Sequence, residues 1–177
     1  MMKEIYTLLI ELEDSPCNDW KAFPVWKRTV EITAATMLDD LHICIQNVID
    51  FGNDHPYEFY TAKKVRSKKQ RQFTSEGVTE EEDRAFWQEN FPDKEYGTTP
   101  SWIKKPWIRE EPLDTPLNQL FPLLTGHYLF YLFDYGDDWR FKIRKTNRKQ
   151  QFALEGVAYP RVVEGEGENP PQYPIWE

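Results

Sequence analysis

An aromatic apolar run is followed by three aspartates, and the chain then alternates apolar and basic residues. The run spans Tyr128–Phe133, the aspartates surround Gly136, and the alternation continues from Trp139 to Ile143. This pattern predicts a hairpin, with two strands flanking the Gly136 turn. Carboxylates beside buried strands are costly unless they cap the turn, pair with cations or hold a ligand.

Length and charge limit what the chain can be. Its 177 residues correspond to one domain, or to one domain with a sizeable insertion. With 40% hydrophobic and 15% aromatic residues, it is expected to bury a core without disulfides. The net charge of −8 argues against binding nucleic acid or anionic lipid over the whole surface.

The expected compartment is the cytoplasm. Cys17 and Cys44 lack Cys-x-x-Cys spacing and are expected to be unpaired thiols. No amino-terminal apolar run resembles a signal peptide, and no stretch approaches the roughly 20 apolar residues that span a bilayer. No membrane partner is therefore expected.

The first third of the chain predicts strands and one long helix. The expected strands are Ile5–Leu12, Val25–Ile32 and Tyr57–Tyr60. Thr36 is the expected helix N-cap, with Asp39 completing an acidic capping box, and Gly52 is the expected residue just past the helix. The buried stripe of this helix is expected to contain Leu38, Leu41, Ile45, Val48 and Ile49.

Residues 61–112 are expected to form a partly irregular and partly mobile insertion within a single domain of residues 1–177. The insertion begins with a basic block, continues with the acidic run Glu80–Asp83, and ends in a segment rich in proline and tryptophan. The basic block contains Lys63, Lys64, Arg66, Lys68, Lys69 and Arg71. Long segments without periodicity are typical of loops.

Order is expected to return at Thr115, the predicted N-cap of a second helix with Pro116 at its first position. The last segment, Tyr159–Pro174, is rich in proline and glycine and leaves room for one short strand. Strands grouped around one long helix predict an α+β fold, a largely antiparallel sheet packed on one main helix.

Several sequence landmarks stand in order along the chain. They are Pro24–Arg28, Leu41–Gln46, His55–Phe59, Tyr131–Trp139, and Tyr159–Arg161 with Glu164-Gly165 and Pro170-Pro171. Together they resemble the plasmid pRiA4b ORF-3-like family, whose members are often described as plasmid or transposon passenger proteins of prokaryotes. The resemblance covers residues 5–60 and 113–174. It implies a small α+β domain without an established activity.

Four positions depart from the family pattern. Many relatives carry histidine where this chain has Tyr57 and Phe141, and cysteines beside the proline pair where it has Asn169 and Gln172. Because these changes remove candidate ligands, the resemblance does not carry a metal role over to this chain.

Asp134, Asp137 and Asp138 form the strongest polar constellation. Three carboxylates near a glycine turn would suit Mg²⁺ or Ca²⁺, or general acid–base work. Their spacing does not match an EF-hand loop, so no metal site is predicted and a divalent cation remains an alternative. The favoured interpretation is structural: Asp134 and Asp137 accept backbone N–H bonds, and Asp138 is solvated.

His42 and His55 are placed on the long helix and just beyond its end. Zinc requires three or four ligands, commonly with a close His or Cys pair, and the sequence lacks such a pair. Both are therefore predicted to be ordinary hydrogen-bonded histidines, with His42 beside the buried stripe. Arg28 and Arg161 are expected to pair with the aspartates.

The basic block, with Phe59, Tyr60 and Phe73 nearby, would contact phosphates and stack bases of a nucleic acid. The favoured interpretation is a solvated loop neutralised by the acidic run that follows.

The favoured function is a binding or accessory module that is protein-directed, linked to mobile elements and without enzymatic turnover. Its surface would join Asp134–Trp139, His55 and the loop Glu164–Tyr173 with Pro170 and Pro171. One alternative is a metal-dependent hydrolase or nuclease that uses the three aspartates with His55. The other is nucleic-acid binding through the basic block.

Overall fold

The computed structural model describes residues 3–14, 25–74, 88–89, 109–147 and 152–173. The strands are β1 Ile5–Asp14, β2 Lys27–Thr33, β3 Tyr57–Ala62, β4 Arg71–Thr74, β5 Arg109–Pro112, β6 Tyr128–Phe133, β7 Trp139–Lys145 and β8 Arg161–Glu166. The helices are α1 Leu38–Ile49 and α2 Leu117–Leu120. Cys17 and the acidic run Glu80–Asp83 lie outside the described residues.

The strands form one open sheet in the order β5-β4-β3-β6-β7-β1-β2-β8. Every neighbouring pair is antiparallel except β4 and β5, which run parallel. The predicted largely antiparallel sheet is thus confirmed. The predicted hairpin is β6–β7, in which Tyr131 lies opposite Phe141 and Phe133 lies opposite Trp139.

One face of the sheet carries the main core. The alternating residues Leu8 and Ile10 of β1 belong to the same buried cluster as Leu41 and Ile45 of α1. Fully burying a side chain of this size contributes about 1.5–3 kcal/mol. The apolar stripe of α1 is buried as expected, except that Val48 is only partly buried.

The predicted caps of the long helix are wrong at both ends. Its N-cap residue is Met37, which makes no side-chain capping bond, whereas the Thr36 hydroxyl lies 2.8 Å from the Thr33 hydroxyl. The left-handed residue at the C-terminal end is Asp50, with φ 65°, and not Gly52. Aspartate tolerates this conformation better than most residues, so an aspartate can end a helix where glycine is expected.

Other boundaries also shift by one or two residues, and the ends of β1, β2 and β3 lie at Asp14, Thr33 and Ala62 rather than at Leu12, Ile32 and Tyr60. Strand β2 begins at Lys27 rather than at Val25. The N-cap of α2 is Pro116 rather than Thr115, because the Thr115 hydroxyl donates back to the Pro112 carbonyl oxygen at 2.7 Å.

The two ends of the predicted insertion are regular strands, since β4 and β5 continue the sheet beyond β3. The opposite face of the sheet, here called the outer face, carries a smaller buried cluster. That cluster contains Tyr60, Ala62, Phe130 and Leu132, with Val65 packed against it. Among the described residues, no helix is long and apolar enough to cross a membrane.

Candidate functional site

Three segments meet beside the C-terminal end of α1, and we call their meeting place the helix-end corner. They are residues 50–56, the β6–β7 turn at 134–138, and the C-terminal segment 167–173. All non-glycine residues with positive φ in the described part of the chain lie here: Asp50, Asn53, Asp134 and Asp138. Aspartate and asparagine adopt this conformation more readily than other non-glycine residues, and backbone of this kind clusters in turns and at functional sites.

The Asp134 carboxylate is turned into the β6–β7 turn. Its Oδ1 accepts the backbone N–H of Gly136 at 2.8 Å and that of Asp137 at 3.2 Å, and the residue is 7% exposed. The predicted turn-capping role of Asp134 is therefore confirmed. The same role for Asp137 is wrong, since its N–H is a donor in this turn and its half-buried carboxylate accepts no hydrogen bond from a described residue.

Asp138 is not solvated as predicted but lies between two arginines. Its Oδ1 is 2.7 Å from Arg140 Nη2, and its Oδ2 is 2.7 Å from Arg66 Nη2. Arg140 also donates to the Tyr60 hydroxyl at 2.8 Å, so the pair belongs to the outer face of the sheet. Asp134 and Asp138 thus have different partners, although they are only four residues apart: backbone amides of the turn for Asp134 and arginines for Asp138.

His55 lies at the surface of the corner, with 35% of its side chain exposed. Its Nε2 is 3.0 Å from the Tyr173 hydroxyl, 3.4 Å from Asp134 Oδ2 and 3.8 Å from Asp54 Oδ1. The Tyr173 O–H donates to Asp54, so His55 Nε2–H donates its hydrogen bond to the tyrosine oxygen.

The carboxylates make the corner electrostatically negative. The pKa of Tyr173 is raised to about 12, chiefly because its O–H donates to Asp54, and the charges of Asp134 and Asp137 raise it further. The same hydrogen bond is the main reason that the pKa of the Asp54 carboxyl is lowered. A cation approaching this corner would be attracted.

Polar side chains tie the C-terminal segment to the fold. Arg28 donates to the carbonyl oxygens of Glu166 and Gly167, both at 2.9 Å. Asn169 Oδ1 accepts from Trp26 Nε1 and from Arg28 Nη2, both at 2.8 Å. At Gly167, with φ +82°, a Cβ would lie 1.7 Å from a backbone carbonyl oxygen, so the close crossing requires glycine.

The predicted pairing of Arg28 and Arg161 with the aspartates is wrong. Arg28 binds the backbone carbonyls just described, and Arg161 Nη2 lies 2.7 Å from Glu31 Oε2. Both arginines are on β2 and β8, at the far edge of the sheet from β6. Pro170 is buried and Pro171 is exposed.

Beneath the corner, four residues form a closed circuit of hydrogen bonds, which the Asn53 backbone N–H completes. The His42 ring lies 2.6 Å from the Tyr131 hydroxyl through Nδ1 and 2.6 Å from Asn53 Oδ1 through Nε2. Gln46 Nε2 donates to the same hydroxyl at 2.9 Å, and the Asn53 N–H donates to Gln46 Oε1 at 3.1 Å. Since Asn53 Oδ1 can only accept, neutral His42 carries its proton on Nε2, and Tyr131 donates to Nδ1.

The prediction that His42 lies beside the buried stripe is wrong, because the residue is 2% exposed. Its ring stacks on Tyr57 with centroids 3.5 Å apart. Burial raises the pKa of Tyr131 well above its ordinary value and lowers that of His42.

The comparisons with known proteins place the chain in a family. A sequence model described as plasmid pRiA4b ORF-3-like protein matches residues 4–173. The chain belongs to this family. The pRiA4b ORF-3-like fold is also similar to the crystal structure of a protein of unknown function from Methanosarcina mazei Go1, with a TM-score of 0.62 and 20% sequence identity. That likeness covers 97% of this chain and 74% of the archaeal chain. No curated protein matches the chain.

Tyr57, Phe141, Asn169 and Gln172 all make contacts at the corner or in its core. Tyr57 stacks on His42, and Phe141 packs edge-on against Trp26. Asn169 bridges Trp26 and Arg28, while Gln172 accepts from Gly52 and donates to Asp54. In this member of the pRiA4b ORF-3-like family, these four side chains make hydrogen bonds and ring contacts.

The described side chains do not converge as a metal centre would. No group of three or more His, Cys, Asp or Glu residues among them is arranged to hold a metal ion. The Asp134 carboxylate accepts hydrogen bonds from backbone amides, and the Asp138 carboxylate is ion-paired with arginines. Cys44 is buried, and burial raises its pKa to about 11, which disfavours the reactive thiolate.

Three residues of the basic block form ion pairs with described carboxylates. Arg66 pairs with Asp14 and Asp138, Lys69 pairs with Glu58, and Arg71 pairs with Glu111. Lys63, Lys64 and Lys68 are exposed. The carboxylates that neutralise the block thus come from strands and turns, and the acidic run lies outside the described residues.

Trp139, a predicted surface residue, is fully buried, and its ring packs edge-on against Phe51 at 5.0 Å. Glu164 lies on β8 opposite Thr29. Sequence reasoning missed Asn53, Gln46 and Tyr131. For Asn53, the sequence signal is the run of Asp, Gly and Asn after an amphipathic helix, because these residues are typical of left-handed loop conformations.

We expect the buried circuit to make stability depend on pH. Burial lowers the pKa of His42 below its ordinary value of 6.5, although the Asn53 hydrogen bond and Asp39 oppose this. The unfolded chain therefore binds a proton more readily, and the free energy of unfolding should fall as pH decreases below 6.5 towards the lowered pKa. Urea unfolding at several pH values should show this slope in the wild type and a flatter one in His42→Gln. Equal slopes would contradict the assignment.

Proposed function

We propose that the chain is a protein-binding module that takes a basic segment of its partner at the helix-end corner. The observation that carries the proposal is the arrangement of exposed acidic and aromatic groups on enforced loops. The Asp54 side chain is 49% exposed and Tyr173 is 54% exposed, and the Tyr173 hydroxyl donates a hydrogen bond to Asp54.

A binding surface whose loops and side chains are already fixed favours binding, because less side-chain and loop entropy is lost on association. The corner has Asp50, Asn53, Asp134 and Asp138 in left-handed conformations. Its C-terminal segment is fixed by Gln172 and Asn169. A Lys or Arg side chain would meet the carboxylates of Asp54 and Asp137 and the face of the Tyr173 ring.

The two other functions receive less support from the same contacts. A metal-dependent hydrolase needs carboxylates that converge on an ion, and Asp134 is already turned towards backbone amides. Nucleic-acid binding through the basic block would compete with the ion pairs of Arg66, Lys69 and Arg71. The proposal also places the protein partner in the cytoplasm. It further includes a link to mobile elements, which the plasmid-derived family name supports.

Selection from a displayed library of random peptides tests the proposal. We expect wild-type protein to enrich peptides rich in Lys and Arg. The Asp137→Lys variant should bind the selected peptides about tenfold more weakly, because a cation then faces a cation.

Glu155→Lys is the matched control, since Glu155 is exposed in a loop and the variant changes the net charge by the same amount. It should retain wild-type affinity. Failure to enrich basic peptides, or equal losses in the two variants, would refute binding at the corner.

A further inference from the structure

Strand β8 forms one edge of the sheet. It pairs with β2 on one side, and no described strand pairs with its other side. Most of Arg161–Glu166 is exposed, including Val162 at 48%. An edge strand presents a row of backbone N–H and C=O groups that another extended segment can bond.

A row of alternating charges crosses the outer face and ends at this edge. Lys142 lies opposite Glu11, which lies opposite Lys27, which in turn lies opposite Glu166. Ion pairs join each half of the row, at 3.8 Å for Lys142–Glu11 and 3.5 Å for Lys27–Glu166. Opposite charges on facing residues of neighbouring strands stabilise a sheet, whereas like charges destabilise it. The next residue beyond Glu166 should therefore be a cation.

Two residues earlier on the same face, Glu164 lies opposite Thr29. A cleft of about 230 Å³ opens here, lined by Leu9, Lys27, Thr29, Glu164, Gly165 and Glu166. The Glu166 side chain is 63% exposed. The edge thus carries two carboxylates at a spacing of two residues, of which Glu164 already accepts from the Thr29 hydroxyl at 3.5 Å, and the cleft beside them has space for long side chains.

We propose that β8 binds an extended basic segment of a protein partner as an added strand, with Lys or Arg at positions i and i+2. Side chains of a strand alternate between faces, so cations two residues apart would lie beside Glu164 and Glu166 together. The intervening residue would lie opposite Gly165, on the face that carries the core. The inference rests on the proposed function, because β8 runs directly into segment 167–173 of the helix-end corner and would carry the same basic segment as an added strand.

Charge decides which occupant the edge accepts. Charged residues commonly protect an edge from uncontrolled pairing, and two glutamates oppose acidic strands. In a symmetric pair of β8 strands the central Glu164 would lie close to its own copy, which disfavours a second copy of this chain. A basic segment meets neither obstacle.

Peptides selected by the wild-type protein provide the probe. We expect their basic residues to recur at i and i+2, and the Glu166→Lys variant to bind them about tenfold more weakly. Glu155→Lys again serves as the charge-matched control. Glu166→Lys replaces the exposed Lys27–Glu166 pair with two facing lysines, and we expect a small loss of stability, which urea unfolding of the variant checks.

Backbone methylation separates strand addition from simple charge attraction. Successive N–H groups of a strand point to opposite sides, so peptides N-methylated at alternate residues fall into two frames. Peptides that are methylated on the N–H groups facing β8 should lose binding, and peptides that are methylated on the other N–H groups should retain it. Equal affinity of the two frames, or no effect of Glu166→Lys, would overturn the inference while the selected peptides still supported the proposed function. Absence of any selected peptide would overturn both.

Discussion

Replacing Tyr131 with phenylalanine is expected to lower the free energy of unfolding by about 3 kcal/mol, although the substitution removes a single oxygen atom. Tyr131 is completely buried, and its hydroxyl bonds both His42 Nδ1 and Gln46 Nε2. Without the hydroxyl, a buried acceptor and a buried donor both lose their partner, and each such loss costs about 1–3 kcal/mol. Urea unfolding at neutral pH measures the change.

Tyr6→Phe is the matched control, because Tyr6 is 6% exposed and the influences on its hydroxyl are burial and the Glu4 charge rather than a hydrogen bond with a described residue. It should change the free energy of unfolding by about 0.5 kcal/mol or less. The pair Tyr131→Phe and Gln46→Leu should be less than additive, because the second change removes the amide that the first leaves without a partner. Additive losses, or a Tyr131→Phe effect no larger than the control, would contradict the circuit.

Asp134→Ala is expected to lower the free energy of unfolding by about 2–3 kcal/mol. The substitution removes the acceptor of the Gly136 and Asp137 N–H groups. It also places alanine at φ 59°, a left-handed conformation that costs most residues about 1–2 kcal/mol. Thermal and urea unfolding of the variant measure the loss.

Asp134→Asn separates the hydrogen bonds from the charge. Asparagine keeps an Oδ1 acceptor and tolerates the left-handed conformation, so its loss should be about 1 kcal/mol or less. Titration with Mg²⁺ or Ca²⁺ provides a second test, since an ion that binds only the folded protein raises its stability. A metal-dependent rise in the wild type that is lost in Asp134→Asn would favour the hydrolase alternative over a turn cap.

Local patterns in the sequence predict those features that depend on neighbouring residues. The alternation of Leu8 and Ile10 predicts the buried face of β1, and the spacing of Leu41 and Ile45 predicts the buried face of α1. The Asp134 cap was also predictable, because its donors lie only two and three residues further along the chain. Helix caps were less predictable, since several residues near each end of α1 are chemically able to occupy the cap.

Partners that are distant in sequence could not be predicted in the same way. The Arg28 side chain is able to bind a carboxylate or a carbonyl, and only the crossing of the C-terminal segment over β2 makes carbonyls its partners. Asp138 illustrates the same limit, because Arg66 approaches it from a loop that β3 and β6 bring alongside.

By itself, the sequence determined the family, the alternation of the strands, the apolar stripe of α1 and the Gly136 turn, because each depends on residues close together in the chain. Only the tertiary structure decided that His42 joins Tyr131 in a buried circuit, that the three aspartates have separate roles, and that β8 ends the sheet with Glu166. The physical reason is that burial and hydrogen-bond geometry depend on the order of strands in the sheet, and residue types alone leave that order open.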